Sequence, residues 1–235
     1  MPKPHNINAQ YNVARPESLP IRIATHQRRK MFATFLKATR ISNNDTILDL
    51  GVTSDQSYNH SNYFEAWYPH KRQVVAAGTD NASFLEALYP GMKFVQADGR
   101  NLPFDDRAFD FVHSSAVFEH VGGCQQQVAF LSELWRVARK GIFVTTPNRW
   151  FPIEFHTVLP LIHWLPARLY RQLLRMLNQD FFAEEANLNL TSRRELARMA
   201  ALAGIGCFRI ETVTLCGWPT NLLLIAERSR QRTTV

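Results

Sequence analysis

Cysteine is scarce in this chain: 3 in 235 residues, at Cys124, Cys207 and Cys216. Their scatter lacks the paired spacing that holds zinc or an iron–sulfur cluster, so no metal site is expected from them. An odd number, with no disulfide framework, points to a reducing, cytoplasmic setting. Long apolar runs are missing as well. No stretch reaches the ~18–20 residues that cross a bilayer, and Met1-Pro2-Lys3-Pro4-His5-Asn6 has no apolar core of the kind a secretory leader carries. Acidic residues are in deficit, 20 against 27 Lys and Arg, giving a net charge of +7. The basic side chains are dispersed over Arg22, Arg28, Arg29, Lys30, Lys37 and Arg40, then Arg168, Arg171 and Arg175, then Arg193, Arg194 and Arg198, with Arg228, Arg230 and Arg232 near the end. Solvated helix faces account for that pattern better than one dense patch for nucleic acid or anionic lipid.

What is present is a series of short apolar strands that end on carboxylates. Ile47-Leu48-Asp49-Leu50 runs straight into Gly51, where a strand turning into a loop needs unusual dihedral freedom. Val74 to Gly78 continues to Thr79-Asp80, and Met92 to Ala97 is followed by Asp98. In an open α/β sheet, ligands sit beyond the carboxyl ends of the strands. A carboxylate after the second strand can accept from both hydroxyls of a ribose, and one after the third from an exocyclic amine. Together they describe a site for an adenosine-containing ligand.

Here the chain resembles the class I S-adenosylmethionine-dependent methyltransferases with a ubiquinone-methylase-like core. The resemblance runs through Ile47–Gly51, Asp80, Asp98 to Phe104, Phe109 to Ser115, Val117-Phe118-Glu119-His120-Val121, the helix Phe130 to Arg139 and Gly141 to Asn148. It implies S-adenosylmethionine as cofactor: Asp49 near its amino group, Gly51 admitting the loop backbone, Asp80 with Asn81 at the ribose, Asp98 and Gly99 at the adenine, and Ser115 bordering the methyl group. The family's glycine-rich loop is altered, because Thr53 and Asp55 stand where glycines usually do. Either the loop has lost the cofactor, or Thr53 and Asp55 are an accepted variant that contacts it.

Alternating strands and helices imply a Rossmann-like α/β fold, mostly parallel, with helices on both faces. The expected helices cover 22–39, 62–68, 82–89, 125–139, 167–177 and 191–203; the fourth and fifth strands cover 109–114 and 142–146. Phe208–Leu215 and Asn221–Ala226, separated by Cys216 to Thr220, read as a closing antiparallel hairpin, giving seven strands in all. The chain is read as one methyltransferase domain over 1–235, with an N-terminal arm and helix at 1–40 and a lid or substrate insert at 150–190. Prolines 152, 160 and 166 cut that insert into short pieces; its Trp and Leu side chains suit lid packing, and peripheral membrane contact is a minority alternative.

Methyl transfer requires alignment, exclusion of water and, for an oxygen nucleophile, a proton acceptor. His120, and His156 paired with Glu154, are the candidate catalytic groups; His113, inside a strand, reads as core. The acceptor is expected to be a small molecule or carbohydrate. An RNA methyltransferase would explain the charge, but no Asn/Asp-Pro-Pro-aromatic motif follows the fourth strand, where Ser114-Ser115-Ala116-Val117 stands. A non-catalytic partner subunit that kept the fold is the second alternative.

Overall fold

The computed structural model describes residues 19–56 and 61–228. Most of the arm expected over 1–20, the loop at 57–60 and the last arginines lie outside them. Seven strands form one sheet in the order β3-β2-β1-β4-β5-β7-β6. They are β1 (Ile47–Leu50), β2 (Val74–Gly78), β3 (Lys93–Gln96), β4 (Phe109–Ser115), β5 (Ala138–Pro147), β6 (Phe208–Leu215) and β7 (Trp218–Glu227). Strands β1 to β5 are mutually parallel, whereas β7 runs antiparallel to both β5 and β6. Among the described residues seven α-helices accompany them: α1 (Leu19–Thr39), α2 (Tyr63–Trp67), α3 (Phe84–Leu88), α4 (Cys124–Val137), α5 (Ala167–Met176), α6 (Asp180–Ala183) and α7 (Arg193–Leu202).

The sheet is covered on both sides, so its central strands are apolar on both faces. Leu48, Leu50, Val112, Ile142, Val144 and Leu224 pack against Phe130 and Leu134 of α4 and Leu196 and Ala200 of α7. Ile47, Ala76, Phe143 and Ile225 pack on the opposite side against Phe35 of α1, Phe64 of α2 and Leu85 of α3. Side chains alternate along a strand, so Asp49 and His113 belong to this second, α1–α2 side.

Several element boundaries shift from expectation, α1 starting at Leu19 and β5 covering Ala138–Pro147 among them, and two of the shifts show how pairing sets an end. The helix expected to reach Arg139 ends at Val137, because Ala138 already pairs with Phe109 of β4. The connection expected over Cys216–Thr220 is a two-residue turn: Cys216 and Gly217 have φ of 49° and 84°, and Trp218 already pairs with Leu215. Two successive positive φ values match the right-handed twist of a hairpin. The start of α7 follows its sequence closely, since Ser192 and Glu195 form a reciprocal capping box.

The insert leaves and rejoins the sheet at one point, where Asn148 bridges Thr191 and the Arg149 amide donates to the Thr191 carbonyl at 3.1 Å. It has its own small core of Tyr170, Leu174 and Ala183. Trp150, Val158, Leu161, Leu169, Met176 and Leu177 remain exposed on it. Among the described residues no helix is long and apolar enough to cross a membrane.

Candidate functional site

The carboxyl edge of the parallel strands gathers most of the expected residues. Gly51 opens the loop after β1 with φ +111°, and a Cβ there would lie 1.9 Å from a methyl of Val117. Only glycine fits that backbone. The loop beyond it, without further glycines, is held by side chains instead. Asn62 accepts from the Thr53 amide at 2.9 Å and donates to the Thr53 carbonyl at 3.0 Å. The Thr53 hydroxyl accepts from the Asp55 amide at 3.0 Å, and Ser61 donates to Asp55 at 3.0 Å. Thr53 and Asp55 are thus parts of an ordered turn, and among residues 52–56 none has a positive φ.

Asp80 follows β2, half-buried, and accepts from the Ser54 hydroxyl at 3.4 Å. Asn81 is exposed and its side-chain oxygen receives the Ser83 amide. Asp98 follows β3 and is clasped by Arg100, whose Nη2 lies 2.6 Å from Oδ2; this hydrogen bond holds the carboxyl below the usual range. Gly99 is buried against Phe130 and Leu50, and a Cβ would collide with both. Ser115, at the end of β4, shares a 2.9 Å hydrogen bond with Thr145. A glycine after β1 and carboxylate acceptors after β2 and β3 fit an adenosine-containing cofactor; in this structure Arg100 occupies Asp98.

Asp49 stands apart from this edge group. It is 7 % exposed and hydrogen-bonded to Nδ1 of His113 on β4. His113 Nε2 meets the Tyr63 hydroxyl at 3.3 Å. Glu65 of α2, fully buried, faces Asp49 with neither carboxyl oxygen otherwise hydrogen-bonded. Burial raises the Asp49 carboxyl to about 7. Burial, and then the neighbouring Asp49 charge, raise Glu65 well above its ordinary value. Burial lowers His113 to about 3. Asp49 therefore ties β1 to β4, beneath the loop that begins at Gly51.

The candidate catalytic residues come together although 34 or more positions separate the first from the other two. Phe118–His120 form a 3₁₀ turn after β4, and Glu154 and His156 arrive from the insert. His120 Nε2 lies 3.1 Å from His156 Nε2. His120 Nδ1 donates to the Asn187 carbonyl at 2.7 Å, and His156 Nδ1 meets Glu154 at 2.7 Å. Glu154 also accepts the amides of His156 and Thr157. Burial favours a neutral Glu154, but the His156 hydrogen bond and charge outweigh it and hold the carboxyl at about 2. Burial lowers His120; for His156 burial acts the same way, yet the Glu154 bond raises the net value. Glu119, fully buried, accepts from Thr146 at 3.0 Å. Sequence reasoning did not assign Asn62, Glu65 or Asn187 to a site; polar residues in an otherwise aromatic helix start, Asn62-Tyr63-Phe64-Glu65, were the available signal for the first two.

The strand order and the closing antiparallel hairpin are those of the class I S-adenosylmethionine-dependent methyltransferase fold. Residues 63–145 of the chain match the methyltransferase domain family. It is 30 % identical over 154 residues to the ubiquinone/menaquinone biosynthesis C-methyltransferase of Xylella fastidiosa (strain M12), covering 57 % of this chain and 58 % of that protein. The chain thus matches little more than half the length of that curated relative. Among solved structures, an S-adenosylmethionine-dependent methyltransferase from Mesorhizobium loti superposes with a TM-score of 0.55 at 16 % identity, over 84 % of this chain and 98 % of that one. One from Methanosarcina mazei gives 0.50 at 18 % identity, over 80 % and 94 %. At these identities the structural likeness speaks for the fold.

Proposed function

We propose that this chain transfers a methyl group from S-adenosylmethionine to a small-molecule acceptor held between the turn after β4 and the insert. The observation that carries this reading is the convergence of Glu119, His120, Glu154 and His156 at the turn after β4, on the sheet edge that also bears Gly51, Asp80 and Asp98. When bound, the cofactor supplies an already activated sulfonium methyl. The chain's own residues then have three tasks. Asp80 and Asp98 orient the cofactor's adenosine part, with the Asn62-braced loop over its methionine part. The insert excludes water from the reacting groups. The Glu119–His120–His156 group takes up the proton or charge that an oxygen acceptor releases.

A hydroxyl of a small molecule or carbohydrate is the proposed acceptor. Carbon methylation is a second reading, favoured by the C-methyltransferase relative; a phenolate formed at the same group would direct the methyl to its ring carbon. RNA is not favoured, since Arg171 and Arg175 of the insert are paired with Glu185 and Glu184 rather than presented to an anion.

Calorimetric titration with S-adenosylhomocysteine tests the reading. Micromolar binding that is weakened at least about tenfold by Asp80→Ala is expected. No binding by the wild-type chain would instead support a partner subunit that kept the fold without the cofactor.

A further inference from the structure

We propose that Glu119, His120 and His156 form a binding site for one divalent transition-metal ion of the zinc type. The argument starts from the proton positions. A backbone carbonyl only accepts, so the 2.7 Å contact of His120 Nδ1 with the Asn187 carbonyl fixes the hydrogen on Nδ1. His120 Nε2 then carries a lone pair. His156 Nδ1 faces the Glu154 carboxylate at 2.7 Å, an acceptor that also takes the amides of His156 and Thr157; in the neutral ring its hydrogen is on Nδ1 too. Two lone pairs therefore point at each other across 3.1 Å. A third acceptor joins them, because Oε1 of the fully buried Glu119 has no hydrogen-bond partner and lies 4.0 Å from His120 Nε2.

Three inward-facing electron pairs repel unless something positive sits between them. The three ligand atoms all lie within 4.8 Å of one another. Two imidazole nitrogens bound to one zinc ion, each at about 2.1 Å, stand roughly 3.4 Å apart, close to the observed separation. The surroundings follow the same logic. Ligating histidines give their other N–H to a carboxylate or a backbone carbonyl; Glu154 serves His156 and the Asn187 carbonyl serves His120. Thr146 holds the remaining oxygen of Glu119. Two histidines and one carboxylate leave a coordination position open, and the side chain of His120, 22 % exposed, marks the side from which an ion or an oxygen ligand enters. The motif escapes a spacing search because two ligands are adjacent and the third lies beyond β5.

The site uses the same side chains that the proposed function takes as proton acceptor, and a bound ion would occupy their lone pairs, so the test reads ion binding by itself, without methyl transfer. The full chain is stripped with a chelator and titrated with Zn²⁺ by calorimetry and with Co²⁺ by visible absorption. One ion per chain is expected, with a Co²⁺ spectrum of nitrogen and oxygen ligation and no thiolate charge transfer; the latter separates it from the three exposed cysteines. His156→Ala should weaken binding at least about 100-fold, and the shape-preserving Glu154→Gln about 10–100-fold, both with an unchanged circular dichroism spectrum. Absence of stoichiometric binding, or equal affinity in the wild type and both variants, overturns the proposal. The pair would then be a hydrogen-bonded imidazole and imidazolium, with His156 as the charged ring.

Discussion

His113 stands opposite Asp49 in the parallel register of β4 and β1, and its Nδ1 is hydrogen-bonded to the Asp49 carboxyl. Phe64 stacks on its ring at 4.5 Å and Phe35 meets its edge at 5.3 Å. A polar pair is thus sealed in an aromatic layer directly below the loop that begins at Gly51. With Glu65 it makes two carboxyl groups in one apolar pocket, which cannot both be ionised at small cost.

The first prediction concerns pH. Asp49 and Glu65 titrate higher in the folded chain than unfolded, so the folded state holds extra protons above about pH 4 and loses stability as pH rises through about 7. Buried neutral His113 acts oppositely below its ordinary value, offsetting only one of the two carboxyls. Glu65→Gln, which keeps the shape and removes one titrating group, should raise the melting temperature at about pH 8 by roughly 2–6 °C and change it little at about pH 5. Equal shifts at the two pH values would show that Glu65 does not titrate in this range.

Asn62→Ala removes both hydrogen bonds that brace Thr53. The global cost should be modest, about 1–2 kcal/mol. The effect on S-adenosylhomocysteine affinity should be larger, roughly tenfold or more, because the loop must then be ordered on binding. Calorimetry alongside urea unfolding separates the two; unaltered affinity would mean that the loop does not touch the ligand.

Glycine positions should respond very differently. Gly51→Ala meets both the φ of +111° and the Val117 methyl, so it should abolish cofactor binding and destabilise by more than about 2 kcal/mol. Gly217, at φ +84° with open space around it, sits in a turn where asparagine is accepted. Gly217→Asn should cost less than about 1 kcal/mol in denaturant melts.

Leu174 is fully buried in the insert's small core. Leu174→Ala should cost about 2–5 kcal/mol locally and open the insert without melting the sheet. Hydrogen exchange should accelerate over 150–190 while β1, β4 and β5 keep their protection. Uniform acceleration along the chain would make the insert part of the same cooperative unit.

The sequence carried a large share of the fold. The apolar strands, each ending near an acid, and the Ser192–Glu195 cap are local features, legible because strand burial and helix capping depend on neighbours in the chain. The misjudged ends at Ala138 and Trp218 have one cause: these are strand residues only because Phe109 and Leu215 lie across from them, and that pairing overrides local propensity.

The site divides along the same line. Gly51, Asp80 and Asp98 were determined by the sequence alone, since strand ends share one edge in a parallel sheet whatever the packing beyond. The ordering of Thr53 and Asp55 without glycines was decided by Asn62, which reaches them from the next helix. His113 read as core by sequence, and it is buried; that its ring is hydrogen-bonded to Asp49 depended on the register of β1 against β4. His120 and His156 were each visible in the sequence, but their 3.1 Å approach was not. It arises where the insert folds back to Thr191 and lays Glu154, His156 and Asn187 over the turn after β4, a closure that only long-range packing can specify.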